Sequence, residues 1–326
     1  MSRLSRLLHG VLFAFTFASF CSGVQAQIGF GVDSTGLLFR FDVNTPAVVT
    51  PIGSVGFVPE GIDFRPGTSS LYALEVGPNT TQLYTIDITT AQATAVGTGF
   101  NSTGVNYNLL QNTTFGFDFN PKTLQGDNSM RIRLVGTNGT NIRLNSSTGQ
   151  IAAVDSTLQF ANGNSAFVDA AAYINNIPQA GGTTALYDMD SRNDALLLQN
   201  PPNNGTLSTV GPFGVTVDAN RNIHFDVYTT PGDADPGIGG DAAYAVLTRP
   251  DAPINGPLGA YLIYDVNLAT GQLTNGALVG PADAPYDFTG GFAIAPIPEA
   301  GSVVLMSVVA FGGVVCRVVR SRTKRS

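Results

Sequence analysis

Apolar and polar residues alternate with period two along most of the chain, in runs of five or six closed by a turn former. Such a run appears at Leu37-Leu-Phe-Arg-Phe-Asp42 and Gln82-Leu-Tyr-Thr-Ile-Asp87. It returns at Thr140-Asn-Ile-Arg-Leu-Asn145, Ala185-Leu-Tyr-Asp-Met-Asp190 and Tyr261-Leu-Ile-Tyr-Asp265. This is the pattern of half-buried strands ending in hairpins. Several runs continue through a turn into a second strand, as in Ala91-Gln-Ala-Thr-Ala-Val96, Gly149-Gln-Ile-Ala-Ala-Val154 and Gly271-Gln-Leu-Thr274. A second unit alternates with the first. Gly61-Ile-Asp-Phe-Arg-Pro66 and Gly116-Phe-Asp-Phe-Asn-Pro121 are near copies, each followed by another strand. In both, Pro closes the strand and opens the turn.

Units of about 40–50 residues with four strands have the spacing of β-propeller blades. The expected fold is all-β, a single propeller-like domain of five blades, with six the alternative count. Blade two is expected over Gly61–Gly97, blade three over Gly116–Asp155, blade four over Asp169–Gly211 and blade five over Gly214–Gly280. Blade one is expected to be split, with Gly290–Ala295 pairing beside Ile28–Val32 to close the ring. Six blades would need an extra hairpin around Asn222–Leu247.

Composition agrees. Of 23 acidic residues only three are Glu (Glu60, Glu75, Glu299), and the chain holds 38 Gly and 19 Pro. That balance favours turns over helices. Trp is absent, and each of the two Cys lies near an end (Cys21, Cys316). The body therefore has no Cys nucleophile, disulfide framework or Cys-based zinc site, and His224 is its one histidine.

The two ends read as addresses. Residues 1–26 run basic, apolar, then small and polar, ending at Val24-Gln-Ala26, a secretory signal peptide with cleavage between Ala26 and Gln27. A lipoprotein signal at Cys21 is disfavoured by the bulky Phe20 before it. Residues 296–326 carry Pro298-Glu299-Ala300, an apolar run from Ser302 to Cys316 and a basic end. This resembles the PEP-CTERM sorting tail, with Ala300 where the usual motif has a second Pro. The resemblance implies an exosortase-like processing enzyme, the export machinery and a membrane contact through the C-terminal helix as partners. A plain C-terminal anchor is the alternative. Both place the 27–295 domain outside the cytoplasm, at the cell surface or in the extracellular matrix.

Charge then sharpens. Seven of the 16 basic residues lie in the ends and every acidic residue lies within 27–301, so that stretch carries 9 − 23 = −14 against −7 for the whole chain. Such a surface repels phosphate backbones, which argues against nucleic acid as a partner.

The strings resemble a bacterial secreted family known only as domain of unknown function forty-three ninety-four. The likeness rests on Gly61–Pro66 with Leu71-Tyr72, Gly116–Pro121 with Arg131-Ile-Arg133, and Asn141–Leu144 with Thr148-Gly149. It continues through Ala171–Tyr173, Leu186–Asp190 and the block from Gln199 to Gly211. It implies a propeller-like fold and a surface or matrix role, and no established activity.

Candidate chemistry is sparse, and no catalytic residue is assigned. Asp42, Asp87, Asp190 and Asp265, and with them Asp63 and Asp118, read as turn residues bonding local amides. Arg65, Arg131, Arg133 and Arg143 are expected to pair with these acids between blades. His224 reads as a structural strand residue. The loop Asp233-Ala-Asp-Pro-Gly-Ile-Gly-Gly-Asp241 is the candidate calcium site, through Asp233, Asp235 and Asp241; no other cofactor is expected. The expected function is a non-catalytic interaction platform for a surface polysaccharide or protein, with a channel free of convergent acids. A carbohydrate- or calcium-binding module is the first alternative. A carboxylate-dependent hydrolase is the second, requiring two acids about 5–10 Å apart in one pocket.

Overall fold

The computed structural model describes residues 27–296 apart from 79, 102–113, 123–128, 178–182, 219–222, 230–239 and 249–259. The signal segment 1–26, the sorting motif Pro298-Glu299-Ala300 and the apolar run beyond it lie outside the described residues. Among the described residues no helix is long and apolar enough to cross a membrane.

Five small antiparallel sheets form a five-bladed propeller. Strands are numbered in chain order. Blade two holds β4 (Gly61–Phe64), β5 (Leu71–Val76), β6 (Thr80–Ile86) and β7 (Ala93–Asn101), from axis to rim. Blade three holds β8 (Phe115–Phe119), β9 (Arg131–Gly136), β10 (Asn141–Asn145) and β11 (Ile151–Val154). Blade four holds β13 (Val168–Tyr173), β14 (Leu186–Asp190), β15 (Ala195–Gln199) and β16 (Thr206–Pro212). A short β12 (Gln159–Phe160) adds in parallel to the rim of blade four. Blade five holds β17 (His224–Thr229), β18 (Asp241–Leu247), β19 (Leu262–Val266) and β20 (Leu273–Leu278). The expected extra hairpin around Asn222–Leu247 is thus the inner half of blade five, and the count is five.

Blade one closes the ring as its split pattern predicts. The C-terminal β21 (Phe292–Ile294) is its innermost strand and pairs with β1 (Ile28–Val32), followed by β2 (Leu37–Asp42) and β3 (Val49–Ser54). The register sets Phe30 opposite Ala293 and Gly31 opposite Phe292. One strand from each end of the domain therefore completes the same sheet, which removes the edge an open ring would present.

The repeat has one exception. The run ending in Asp42, Asp87, Asn145 or Asp265 is the third strand from the axis in its blade, but Ala185–Asp190 is the second strand of blade four. Its third strand is β15, whose Ala-Leu-Leu-Leu-Gln lacks the polar alternation and so hides the repeat.

Each of five hydrophobic clusters fills one wedge between neighbouring blades. Phe30 and Leu38 meet Ile62 and Phe64 between blades one and two. Tyr72 and Leu74 meet Phe117 and Phe119 between two and three, with the Tyr72 and Phe119 rings edge to face at 5.0 Å. Val135 meets Tyr173 and Leu197 between three and four, Met189 meets Phe225 and Val227 between four and five, and Ile263 meets Phe41 and Phe292 between five and one. Each fully buried Leu, Ile or Phe here contributes about 1.5–3 kcal/mol.

Convergence at the axis demands small residues. A Cβ on Gly61 would lie 2.6 Å from the Phe117 Cβ, and one on Gly116 would lie 2.5 Å from the Ala171 backbone nitrogen. Backbone cannot yield as a side-chain tip can. Gly116→Val is expected to cost about 1–3 kcal/mol or more and to lower the melting temperature by several degrees. Val48→Ala, on a side chain 71% exposed, should change it within error. Thermal unfolding of the two variants checks this.

Candidate functional site

The innermost strand of every blade is a sheet edge that never reaches water. All four residues of β4, all five of β8 and all six of both β13 and β17 are buried. The N–H groups on such an edge lack ladder partners and need acceptors from elsewhere. Aspartates supply them across the blade boundaries. Phe119 N donates to Asp63 Oδ2 at 2.7 Å, from blade three to blade two. Tyr173 N donates to Asp118 Oδ1 at 3.0 Å, from blade four to blade three. Ile294 N donates to Asp226 Oδ2 at 2.6 Å, from blade one to blade five.

The register explains the two gaps in this ring. Asp118 precedes Phe119 as Ala172 precedes Tyr173, Asp226 precedes Val227 and Ala293 precedes Ile294. The five equivalent positions are therefore Asp63, Asp118, Ala172, Asp226 and Ala293. Ala172 has no acceptor to offer Val227, and Val227 N instead donates to its own neighbour, Asp226 Oδ1, at 2.6 Å. Both oxygens of Asp226 are thus engaged; at the second gap Phe64, which faces Ala293, likewise turns its amide toward its own neighbour Asp63, whose buried Oδ1 makes no well-formed hydrogen bond.

Asp63, Asp118 and Asp226, each 2% exposed, bring one carboxylate oxygen apiece within 4.8 Å of the others. Burial drives Asp63 and Asp118 well above the usual carboxylate range. The Asp226 charge adds to this at Asp63, and Asp63 with Asp226 at Asp118, against the opposing pull of the Phe119 and Phe64 amides at Asp63 and of the Tyr173 amide at Asp118. Burial raises Asp226 to about 7. Like charges this close cannot all ionise without compensation. The cluster can share protons, or its oxygens can ligate one cation.

His224 lies two residues before Asp226 on β17 and so projects to the same face. With Gly61, Gly116, Ala170 and Phe292 it lines a narrow axial cavity with room for little more than a water. Burial lowers its pKa to about 4, so the ring is neutral, and Nε2 has no hydrogen-bond partner.

These findings correct several expectations. Asp63 and Asp118 are not turn residues; they are buried acceptors bridging blades. Asp226 was not singled out, although His224-Phe-Asp-Val227 repeats the small-or-polar, apolar, Asp, apolar order of Gly61–Phe64 and Gly116–Phe119. The channel holds convergent acids where a plain platform should have none. Asp42, Asp87 and Asp190 do bond local turn amides, those of Asn44, of Thr89 and Thr90, and of Arg192 and Asn193. Asp265 instead accepts Asn275 Nδ2 at 2.6 Å across the β19–β20 hairpin. The ion pairs of Arg133 (2.5 Å) and Arg143 (2.8 Å) both go to Asp155, within blade three. Arg133 crosses to blade four through Tyr173 Oη at 3.2 Å and Asn203 Oδ1 at 2.7 Å. Of the candidate calcium loop, Asp233 and Asp235 lie outside the described residues. Asp241 opens β18, where its carboxylate accepts from Asn175 N (3.2 and 3.3 Å) and from the Thr229 hydroxyl.

A second concavity is open. Asp33, Val48, Pro281, Pro285, Tyr286 and Asp287 line a shallow groove where blades five and one meet at the surface.

The family model described as Domain of unknown function (DUF4394) matches residues 37–288. The chain belongs to the DUF4394 family. No curated protein matches it. Among solved structures it is similar to the fucose-specific lectin from Aleuria aurantia, at 16% identity over 79% of this chain and 75% of that one, TM-score 0.39. It is also similar to a protein from Lactobacillus plantarum (11% identity, 82% and 99%, TM-score 0.37) and to a protein of unknown function from Bacteroides caccae (9%, 77% and 73%, TM-score 0.35).

The raised carboxylates fix a pH dependence. An acid whose pKa rises on folding binds more protons folded than unfolded, so its stabilising contribution is lost as pH rises through the folded value. His224 acts oppositely, but only between about 4 and its ordinary 6.5. Above pH 6.5 only the acids act, and Asp226 titrates there. In chelator, the melting temperature of this DUF4394 protein should fall from pH 6.5 to 8. Asp226→Asn, which keeps an oxygen for Ile294, should flatten the slope; an unchanged slope would contradict the assignment.

Proposed function

We propose that this DUF4394 protein is an exported, non-catalytic interaction platform held at the cell surface or in the extracellular matrix, binding a surface polysaccharide or protein. The observation that carries the reading is the contrast between its two concavities. Among the described residues, the cavity lined by Gly61, Gly116 and His224, each two positions before one of the axial acids, has room for little more than a water, which favours a binding over a hydrolytic reading. The groove of Asp33, Val48, Tyr286 and Asp287 is open, with an aromatic face and flanking acceptors. Aromatic side chains with a polar tip suit a contact surface. The export half of the reading rests on the signal-like residues 1–26 and the sorting-like residues 296–326, with an exosortase-like enzyme as the processing partner.

The full chain and a chain ending at Ala295, produced in a host with the export and sorting systems, provide the test. Fractionation should find the full chain on the cell surface and the truncated one free in the medium. Equal release of both would refute the sorting role. The polysaccharide extracted from the same cells should bind the full chain without releasing reducing sugar. Tyr286→Ala should weaken that binding about tenfold, a ~1.4 kcal/mol effect. Sugar release would return the hydrolase reading.

A further inference from the structure

We propose that Asp63, Asp118 and Asp226 together hold one hard divalent cation on the propeller axis, with calcium the best fit. The proposal is independent of the platform reading and of the Asp233–Asp241 loop.

Three observations carry it. First, the ligands come from three blades. Their oxygens lie within 4.8 Å of one another. Three points no farther apart than that share a centre within about 2.8 Å of each, close to the roughly 2.3–2.6 Å of calcium–oxygen bonds. Small side-chain movements complete the fit, and an all-oxygen set selects hard cations.

Second, the site holds buried acceptors without a well-formed hydrogen bond. Asp63 Oδ1 is buried and makes none, although the Phe64 amide bears on that carboxylate, and it stands beside two further carboxylates. His224 Nε2 is also buried without a partner, on the axial cavity lined by Gly61, Gly116 and His224, each two residues before one of the three acids. The Phe288 backbone bonds the same imidazole, which leaves Nε2 as the lone-pair nitrogen. A water on the cation, standing in that cavity, would donate to Nε2 and satisfy it. These two acceptors differ from the other such atoms among the described residues in their setting: one belongs to the three-carboxylate cluster and the other lies two residues from Asp226, where one cation and its water would satisfy both.

Third, backbone amides already hold the three carboxylates in place. Asp63, Asp118 and Asp226 each keep one oxygen on a backbone N–H of the next inner strand, which fixes the carboxylates before any ion arrives. Gly61 and Gly116, two residues before Asp63 and Asp118, leave the cavity open above the cluster. A cation here would tie blades two, three and five together at the axis, acting as a clasp on ring closure rather than as a reaction centre.

The test uses the full chain, stripped with chelator at pH 7.5 and titrated with calcium chloride. One calcium per chain should bind, counted by equilibrium dialysis. At saturation the melting temperature should rise by about 5 °C or more. Asp118→Asn and Asp226→Asn keep acceptors for Tyr173 and Ile294 and remove like charge, so in chelator they should melt at or above the parent temperature. Both should lose the calcium-induced rise. The double variant Asp233→Ala, Asp235→Ala should keep it. Loss of the rise in that double variant with retention in the Asn variants would move the ion to the loop and overturn the proposal. So would the absence of any bound ion or thermal shift with calcium, magnesium or manganese.

Discussion

Five buried strands meet at the axis of this ring, and each presents an edge of backbone N–H groups that must find acceptors. That requirement governs the centre of the molecule. Side chains long enough to reach the next blade yet small enough for the axis are few, and Asp meets both limits. Asp63, Asp118 and Asp226 each cap an amide on the following inner strand, at 2.6–3.0 Å. Satisfying three amides with carboxylates necessarily crowds those carboxylates. The electrostatic tension at the axis, and the call it makes for protons or a cation, follows from a hydrogen-bond requirement.

The rest of the fold accommodates that centre. Alternate residues of each inner strand face opposite neighbours. Gly61 and Asp63 face blade three, while Ile62 and Phe64 enter the wedge against blade one. Glycine at 61 and 116 permits the close approach that the Asp63 and Asp118 bridges need, and Gly291 does the same at the unbridged boundary of blades one and two, since a Cβ on any of the three would stand under 3.0 Å from the next strand. Away from the axis the wedges widen and fill with Leu, Ile, Phe and Tyr. Closure through β21 against β1 brings Ile294 under Asp226, so the last bridge forms only when the C-terminal strand docks.

Much of this architecture was legible in the sequence because period-two alternation and turn residues are local signals. They placed the blades, and the split first blade followed from closing the ring with Gly290–Ala295 beside Ile28–Val32. Blade four was misregistered at Ala185–Asp190 because β15 is apolar on both faces and carries no alternation to read. The site was harder. An Asp before Phe and near a Pro looks like a turn residue, and alternation does not say which edge of a sheet faces the axis. The bridging pairs are 55, 56 and 68 residues apart, a separation set by blade geometry alone. The recurrence of Asp at the third inner position in 61–64, 116–119 and 224–227 was the available signal, and it becomes decisive only once those three segments are known to be innermost strands.

Amide hydrogen exchange of Tyr173 tests the central claim most directly. If the Asp118 carboxylate caps that buried amide across the blade boundary, Tyr173 should exchange among the slowest in the protein. Asp118→Asn should leave it slow, and Asp118→Ala should speed it selectively relative to the Ile132 and Leu134 amides of β9, which lie in the wedge between blades two and three. A Tyr173 amide that exchanges as fast as the surface turns, or one indifferent to Asp118→Ala, would contradict the account.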